Sequence, residues 1–336
     1  MTNVGLIGYG YWGPNLLRNF FELSSARPVA CCDLRQDRLD FLALKYPDVL
    51  RTSDAQDIIT NPDVDAVVIA TPISTHYKLA HQALEAGKHV LIEKPMTTSS
   101  SDADALIPIA NERDLVLMVD HTFIYTGAVR KIKEIIDQGE MGDIYYFDSV
   151  RVNLGLFQHD INVIWDLAPH DLSIMDHLIG KQPKAVSAFG ASHLGQAIEN
   201  IAYLNFMFND NTIGHIHINW LAPVKLRRTL ISGTHKMIVY DDMETSEKVK
   251  VYDSGVSISK SPGNIYHNLV QYRIGDMNAP KLDQQEALSV ECEHFIDAIQ
   301  NGTPPITDGN AGRRIVAMLE SAQESLEQQG AWIPVK

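Results

Sequence analysis

Three glycines, Gly8, Gly10 and Gly13, stand in a G-x-G-x-x-G spacing directly after the apolar run Val4-Gly5-Leu6-Ile7 and directly before Pro14. Each has a physical reason to be glycine. The first permits a tight turn, the second lets backbone approach a diphosphate, and the third lets a helix pack close to a strand. Pro14 suits the first turn of a helix, and the N-terminus of that helix attracts phosphate charge. Tyr11 and Trp12, inside the string, belong to the same cradle. Asp33 ends the next apolar run, where an acid accepts from the hydroxyls of an adenosine ribose and repels a 2′-phosphate. The pattern therefore implies NAD. Arg35 stands close enough to pair with a 2′-phosphate, which leaves NADP open.

Acid–base chemistry is carried by two further places. Glu93-Lys94-Pro95 follows the apolar run 90–92, and ligands of open α/β sheets bind beyond the carboxyl ends of strands, so Lys94 is aimed at the same region. Asp166 and His170 are four apart and share one face of a helix. An imidazole titrates near neutrality and suits a general base. Taken singly, Lys94 reads as the surface lysine that most lysines are, and His170 more often as a structural or surface histidine.

These residues need a scaffold that brings strand ends together, and the pattern supplies one. Apolar runs at 4–7, 29–32, 66–70, 90–92 and 115–119 alternate with helical spacing at 14–23, 35–45, 75–86 and 101–112. Such alternation predicts a doubly wound parallel sheet of Rossmann type over residues 1–122. After a helix at 125–138 the period changes to strands at 144–152, 184–189, 201–208, 212–220, 228–232 and 237–240, with Asn209-Asp210-Asn211 as a hairpin turn. Helices are predicted at 166–179, 285–300 and 311–328, and residues 253–278 read as the least structured stretch. Residues 123–336 are thus expected to form an α+β domain with a large, mostly antiparallel open sheet, binding substrate and pairing subunits.

Together, G-x-G-x-x-G at 8–13, E-K-P at 93–95 and D-x-x-x-H at 166–170 resemble the glucose–fructose oxidoreductase / inositol dehydrogenase / rhizopine-catabolism family (Gfo/Idh/MocA), over nearly the whole chain. The strings at 7–15 and 166–171 look like its branch associated with nucleotide sugars and surface polysaccharides. One departure stands at Ala168, where many relatives have glycine. The resemblance implies that Lys94 contacts the nicotinamide ribose and the reacting hydroxyl, that His170 accepts the proton, and that Asp166 belongs to the same motif. It implies that Ala70, Thr71, Pro72, His76 and Glu93 lie along the cofactor. The expected activity is hydride transfer between nicotinamide and a secondary alcohol or ketone of a nucleotide-linked sugar, as an NAD(P)-dependent dehydrogenase. A free sugar or polyol such as an inositol is the alternative. A third reading, a dinucleotide-sensing protein without catalysis like the galactose-pathway repressor, would not need Lys94 and His170. A homodimer or homotetramer is expected through the open sheet.

Substrate contacts are expected from Tyr125, Arg151, Asn153, Asn162 and Trp165, which flank the two motifs. Arg151 serves equally as a phosphate partner or as half of a structural ion pair. His215 and His217 read as solvated sheet residues, because two alternate histidines without a cysteine or carboxylate partner are too sparse for zinc; no metal site is expected.

Composition bounds the rest. The chain has 336 residues, 45% hydrophobic and 21% charged, values of a globular protein long enough for two domains. A net charge of -14 argues against nucleic acid, which needs a basic face. Three cysteines without a framework spacing, no apolar run of membrane length and no leader at Met1-Thr2-Asn3 lead to the expectation of a cytoplasmic protein.

Overall fold

The computed structural model describes residues 1–155, 161–193, 195, 198–253, 255–259 and 269–336. Two compact units make up the chain: Met1–Tyr125 with Gln285–Glu320, and Thr126–Gln284 with Ser321–Lys336.

The first unit alternates β1 (Thr2–Ile7), α1 (Gly13–Glu22), β2 (Ala26–Cys32), α2 (Gln36–Lys45), β3 (Leu50–Thr52), α3 (Ala55–Ile59), β4 (Ala66–Ile69), α4 (His76–Glu85), β5 (His89–Glu93), α5 (Ser100–Glu112) and β6 (Leu117–Asp120). All six strands are parallel, in the order β3-β2-β1-β4-β5-β6. This is the doubly wound order, whose connections reverse between β1 and β4. Every residue of β4 is buried, as expected of a central strand covered on both faces. Leu16, Leu17 and Phe20 form the buried stripe that docks α1. The short β3 and α3 lie inside a stretch whose sequence pattern gave neither.

In the second unit, α6 (Gly127–Asp137) precedes β7 (Ile144–Leu154), and α7 (Val163–Ile179) precedes β8 (Ala185–Ala191), β9 (Ile201–Met207), β10 (Ile213–Asn219), β11 (Leu221–Gly233), β12 (Met237–Asp241) and β13 (Val249–Tyr252). Then come β14 (Gly255–Ser259), β15 (Leu269–Arg273) and β16 (Met277–Asn278). The nine-stranded sheet runs β16-β13-β12-β11-β7-β10-β9-β8-β17, with β17 at Ile333–Pro334. It is antiparallel except where β10 lies parallel to β7. The hairpin between β9 and β10 turns at Asn211, which takes φ +64°. Within the stretch 253–278, β14 and β15 pair as a two-stranded sheet, whereas 254 and 260–268 lie outside the described residues.

The chain then returns. α8 (Ala287–Asn301) and the first part of α9 (Gly309–Glu327) count with the first unit, so the division differs from a single boundary after residue 122. The reason is packing. Phe295 meets Phe20 of α1 edge-on with ring centroids 6.3 Å apart, Glu286 pairs with Arg18 at 2.6 Å, and Val119 N–H donates to the Thr307 carbonyl at 2.8 Å.

One ion pair lies deep in the second unit. Arg151 of β7 donates through Nε to Asp171 of α7 at 2.5 Å, and Ser149 donates to the same carboxylate at 2.7 Å. Both ionic side chains are at least 95% removed from solvent, at 5% and 3% exposure. Removing one partner from such a pair leaves a buried charge uncompensated, which costs more than the pair contributes. Asp171→Ala is expected to lower unfolding free energy by about 3–5 kcal/mol in urea titration; a loss within about 0.5 kcal/mol, as at an ordinary surface site, would contradict this placement.

Candidate active site

Strand order places the carboxyl ends of β2, β1, β4, β5 and β6 in one row, and the sequence motifs fall on them in turn. Asp33 follows β2, the glycine string follows β1, Ala70-Thr71-Pro72 follows β4, and Lys94 follows β5. Asp33 and Lys94 stand three strand spacings apart, roughly 14 Å.

The glycine turn is fixed by close backbone approach. Gly8 has φ +100°, and a Cβ there would come within 2.3 Å of the Ala70 carbonyl oxygen. A Cβ on Gly13 would come within 2.2 Å of the Gly8 carbonyl oxygen. Gly10 differs: its Cβ would meet nothing nearer than the Arg38 guanidinium at 3.4 Å. The space over Gly10 is therefore the part of the turn that could admit a ligand. α1 starts at Gly13-Pro14 with no side chain capping it, so its first N–H groups suit a diphosphate. These residues fit a bound dinucleotide.

Asp33 is buried, and its Oδ2 accepts from the Tyr9 N–H at 2.7 Å and from Arg38 at 3.1 Å. Arg35 points elsewhere: its guanidinium is paired with Asp37 at 2.5 Å. The basic group beside the acid is thus Arg38, five residues on, which the sequence reading missed. An i, i+5 spacing from a strand end into a helix gives no periodic signal, although an arginine one turn into α2 can reach back.

His76 is buried, and its two ring nitrogens lie 2.9 Å from the Pro95 carbonyl and 2.8 Å from the Thr71 carbonyl. Burial pushes its pKa down. Both nitrogens face backbone, so His76 braces the loops that follow β4 and β5. Tyr11 and Trp12 stand exposed beside the turn with rings edge-to-face, centroids 5.5 Å apart. Lys94 and Ala70 are half-buried, and Glu93 is buried. Burial, then the neighbouring Asp120 carboxyl, raises the Glu93 pKa well above the usual range.

Within the second unit, Asp166 and His170 lie one turn apart in α7. Asp166 Oδ2 accepts from the Trp220 indole at 3.0 Å. Trp165, Asp166 and His170 are all half-buried. The other residues expected at the substrate divide. Asn162 is the N-cap of α7, accepting from Ile164 and Trp165 N–H at 3.1 and 3.3 Å, while its amide donates to Glu199 and Gln323. Arg151 is the ion pair described above. Tyr125, in the first unit, is buried against the Thr307 hydroxyl at 3.0 Å. Asn153 is half-buried on β7. His215 bonds Asn205 at 2.9 Å, and the Tyr203 ring stacks on His217 at 4.4 Å.

Known proteins bear directly on this arrangement. Residues 2–121 match the family described as oxidoreductase family, NAD-binding Rossmann fold, and residues 129–239 match the GFO/IDH/MocA C-terminal domain. The chain is 32% identical over 269 residues to a UDP-N-acetylglucosamine 3-dehydrogenase of Acidithiobacillus ferrooxidans, covering 79% of this chain and 80% of that one. It is 24% identical to a myo-inositol 2-dehydrogenase of Thermotoga maritima across 97% of this chain and 96% of that one. A solved structure of the Acidithiobacillus ferrooxidans enzyme superposes with a TM-score of 0.83 at 26% identity, covering 98% of each chain. A levoglucosan dehydrogenase solved with NADH has the same fold, with a TM-score of 0.83 at 21% identity and coverage of 100% and 99%. The chain belongs to the GFO/IDH/MocA family of NAD-binding oxidoreductases.

Proposed function

We propose that this protein is a sugar dehydrogenase, acting on a secondary alcohol of a nucleotide-linked sugar or on the matching ketone. The observation that carries the reading is the row of strand ends, where the buried acid Asp33, the glycine turn with open space over Gly10 and Lys94 follow one another. Likeness to a relative named for UDP-N-acetylglucosamine supports the nucleotide-linked class. The dinucleotide, when bound, supplies the hydride acceptor. Lys94 donates a hydrogen bond to the substrate oxygen as negative charge grows there, which is electrostatic stabilisation of the transition state. His170 takes the proton of the alcohol, and Asp166, braced by Trp220, orients the imidazole.

The residues that reach the cofactor in this reading are Gly8, Gly10, Gly13, Tyr11, Trp12 and Asp33, with Arg38 in the place first given to Arg35. We further propose a cytoplasmic homodimer or homotetramer. Three buried free cysteines suit a reducing compartment. The sheet face bearing exposed Phe189, Tyr203 and Ile213 suits a second copy of the chain.

Lys94→Ala and His170→Ala are each expected to lower kcat by about 10²–10⁴ while NAD binding persists; wild-type turnover with UDP-N-acetylglucosamine in either variant would remove that residue from its role. Gly10→Ala should leave Tm nearly unchanged and weaken NAD at least tenfold by calorimetry, because its Cβ fills only the gap. Gly13→Ala should lower Tm itself. An unaltered NAD affinity in Gly10→Ala would place the dinucleotide elsewhere. Tyr203→Asp should shift the mass measured by light scattering to the monomer; an intact oligomer would rule out that face.

A further inference from the structure

Asp33 leaves β2 as a buried carboxylate whose hydrogen-bonding places are nearly all taken. A carboxylate accepts about four hydrogen bonds, two at each oxygen. Oδ2 of Asp33 takes the Tyr9 N–H at 2.7 Å and the Arg38 guanidinium at 3.1 Å. Oδ1 takes the Arg35 N–H at 2.9 Å, which leaves that oxygen one place among the described residues. The Asp33 side chain is only 5% exposed, whereas that of Arg38 is 37% exposed. To accept from both hydroxyls of a ribose through its two oxygens, an acid needs an open place on each. Asp33 has one on Oδ1 alone.

Donors stand directly beside that place. α2 begins at Gln36, so Arg38 lies in its first turn and reaches back to the strand end. Apart from chain neighbours, the three atoms nearest to a Cβ on Gly10 would all belong to Arg38: Nη1 at 3.4 Å, Cζ at 3.9 Å and Nη2 at 4.0 Å. The guanidinium therefore borders the open space over Gly10. It gives Nη1 to the carboxylate, and its other N–H groups bond nothing among the described residues. Arg35 is closed to the same use, because its Nε and Nη2 hold the two oxygens of Asp37 at 3.0 and 2.5 Å.

We propose that Asp33 and Arg38 read the adenosine ribose as one acceptor and one donor, that Arg38 decides between cofactors, and that the site takes NADP as well as NAD. This rests on the reading of the glycine turn as a dinucleotide site. A ribose hydroxyl both donates and accepts. In NAD the 3′-hydroxyl donates to the open place on Asp33 Oδ1, and the 2′-hydroxyl accepts from Arg38. A 2′-phosphate is an anion that only accepts, and a lone carboxylate repels it. Here the carboxylate is already paired with a guanidinium, whose unused N–H groups match phosphate oxygens in a planar fork. The 3′-hydroxyl keeps Asp33 with either cofactor.

Calorimetry with NAD and NADP on the full chain tests this without turnover. Wild type should bind NADP within about tenfold of NAD; a wider gap would overturn the proposal. Arg38→Met keeps the bulk and removes the fork. It should weaken NADP by about tenfold or more and NAD by less than about threefold, because a hydroxyl can take the place on Oδ2 that the guanidinium vacates. NAD binding by the variant also reports that it is folded. Equal loss of the two dinucleotides in Arg38→Met would mean that the arginine only braces the acid. No loss of either would mean that it stands outside the site, and each of these results overturns the proposal. Arg35, held by Asp37, is the control: Arg35→Met should change neither affinity, and a selective loss of NADP there would move the role to Arg35. A wild type that binds neither dinucleotide would instead overturn the reading of the glycine turn itself.

Discussion

Parallel strands that hydrogen-bond side by side bring their carboxyl ends level, and the first unit depends on that constraint throughout. Gly8 N–H donates to the Cys32 carbonyl and Ala70 N–H to the Ile7 carbonyl, each at 2.8 Å, so the turns after β1, β2 and β4 are tied to one another as they leave the sheet. The glycines follow from this. Where backbone passes backbone at van der Waals distance there is no volume for a Cβ: on Gly8 one would strike the Ala70 carbonyl oxygen of the neighbouring turn, and on Gly13 the Gly8 carbonyl oxygen of its own turn. The row from Asp33 to Lys94 thus results from the sheet's own bonding and needs no separate device to align it.

How much of this could be read beforehand varies with the origin of each signal. The roles of the E-K-P and D-x-x-x-H motifs came from resemblance, whereas the glycine string and the central strands were legible, because burial on both faces and, at Gly8, a positive φ leave strong marks on residue choice. The edges were not. β3 is three residues long and largely exposed, so nothing in Leu50–Thr52 demands apolar side chains. β11 begins at Leu221, but Pro223 and a register shift between Leu221 and Leu226 hide its first half. Residues 285–320 read as helices belonging to whatever precedes them; their return to the first unit depends on contacts such as Phe20 with Phe295 that span most of the chain. Asn162 shows a different failure. Its position before Val163-Ile164 is a helix-start signal, yet its nearness to the D-x-x-x-H motif drew a substrate reading.

The electrostatics of the chain separate along the same line between surface and core. The net charge of -14 is carried mostly by exposed side chains, where charges cost little and screen one another. Inside, the second unit buries the paired charges of Arg151 and Asp171 and satisfies the carboxylate with a serine besides. In the first unit Asp33 is paired with Arg38, whereas burial pushes Glu93 and Glu291 well above the usual carboxyl range. A sequence shows only that these residues are Glu, Asp and His. Whether each is an anion, a donor or a neutral ring is set by what the fold puts beside it.

His76 makes the last point in a single side chain. A neutral imidazole has one N–H, and this ring stands between two carbonyl oxygens at hydrogen-bond distance. Burial favours the neutral form, and the charge of Lys94 acts in the same sense, whereas the backbone of Thr71, Pro95 and Met96 favours the charged one. With burial the larger effect, one carbonyl takes the proton and the other faces a lone pair. The brace is therefore asymmetric: of the two loops it touches, one is bonded and the other only in contact. Those loops carry Thr71 and the residue after Lys94, so the chain that holds the lysine is anchored through a group with no solvent exposure to trade. The histidine that opens α4, which the resemblance places along the cofactor, has both ring nitrogens against backbone carbonyls.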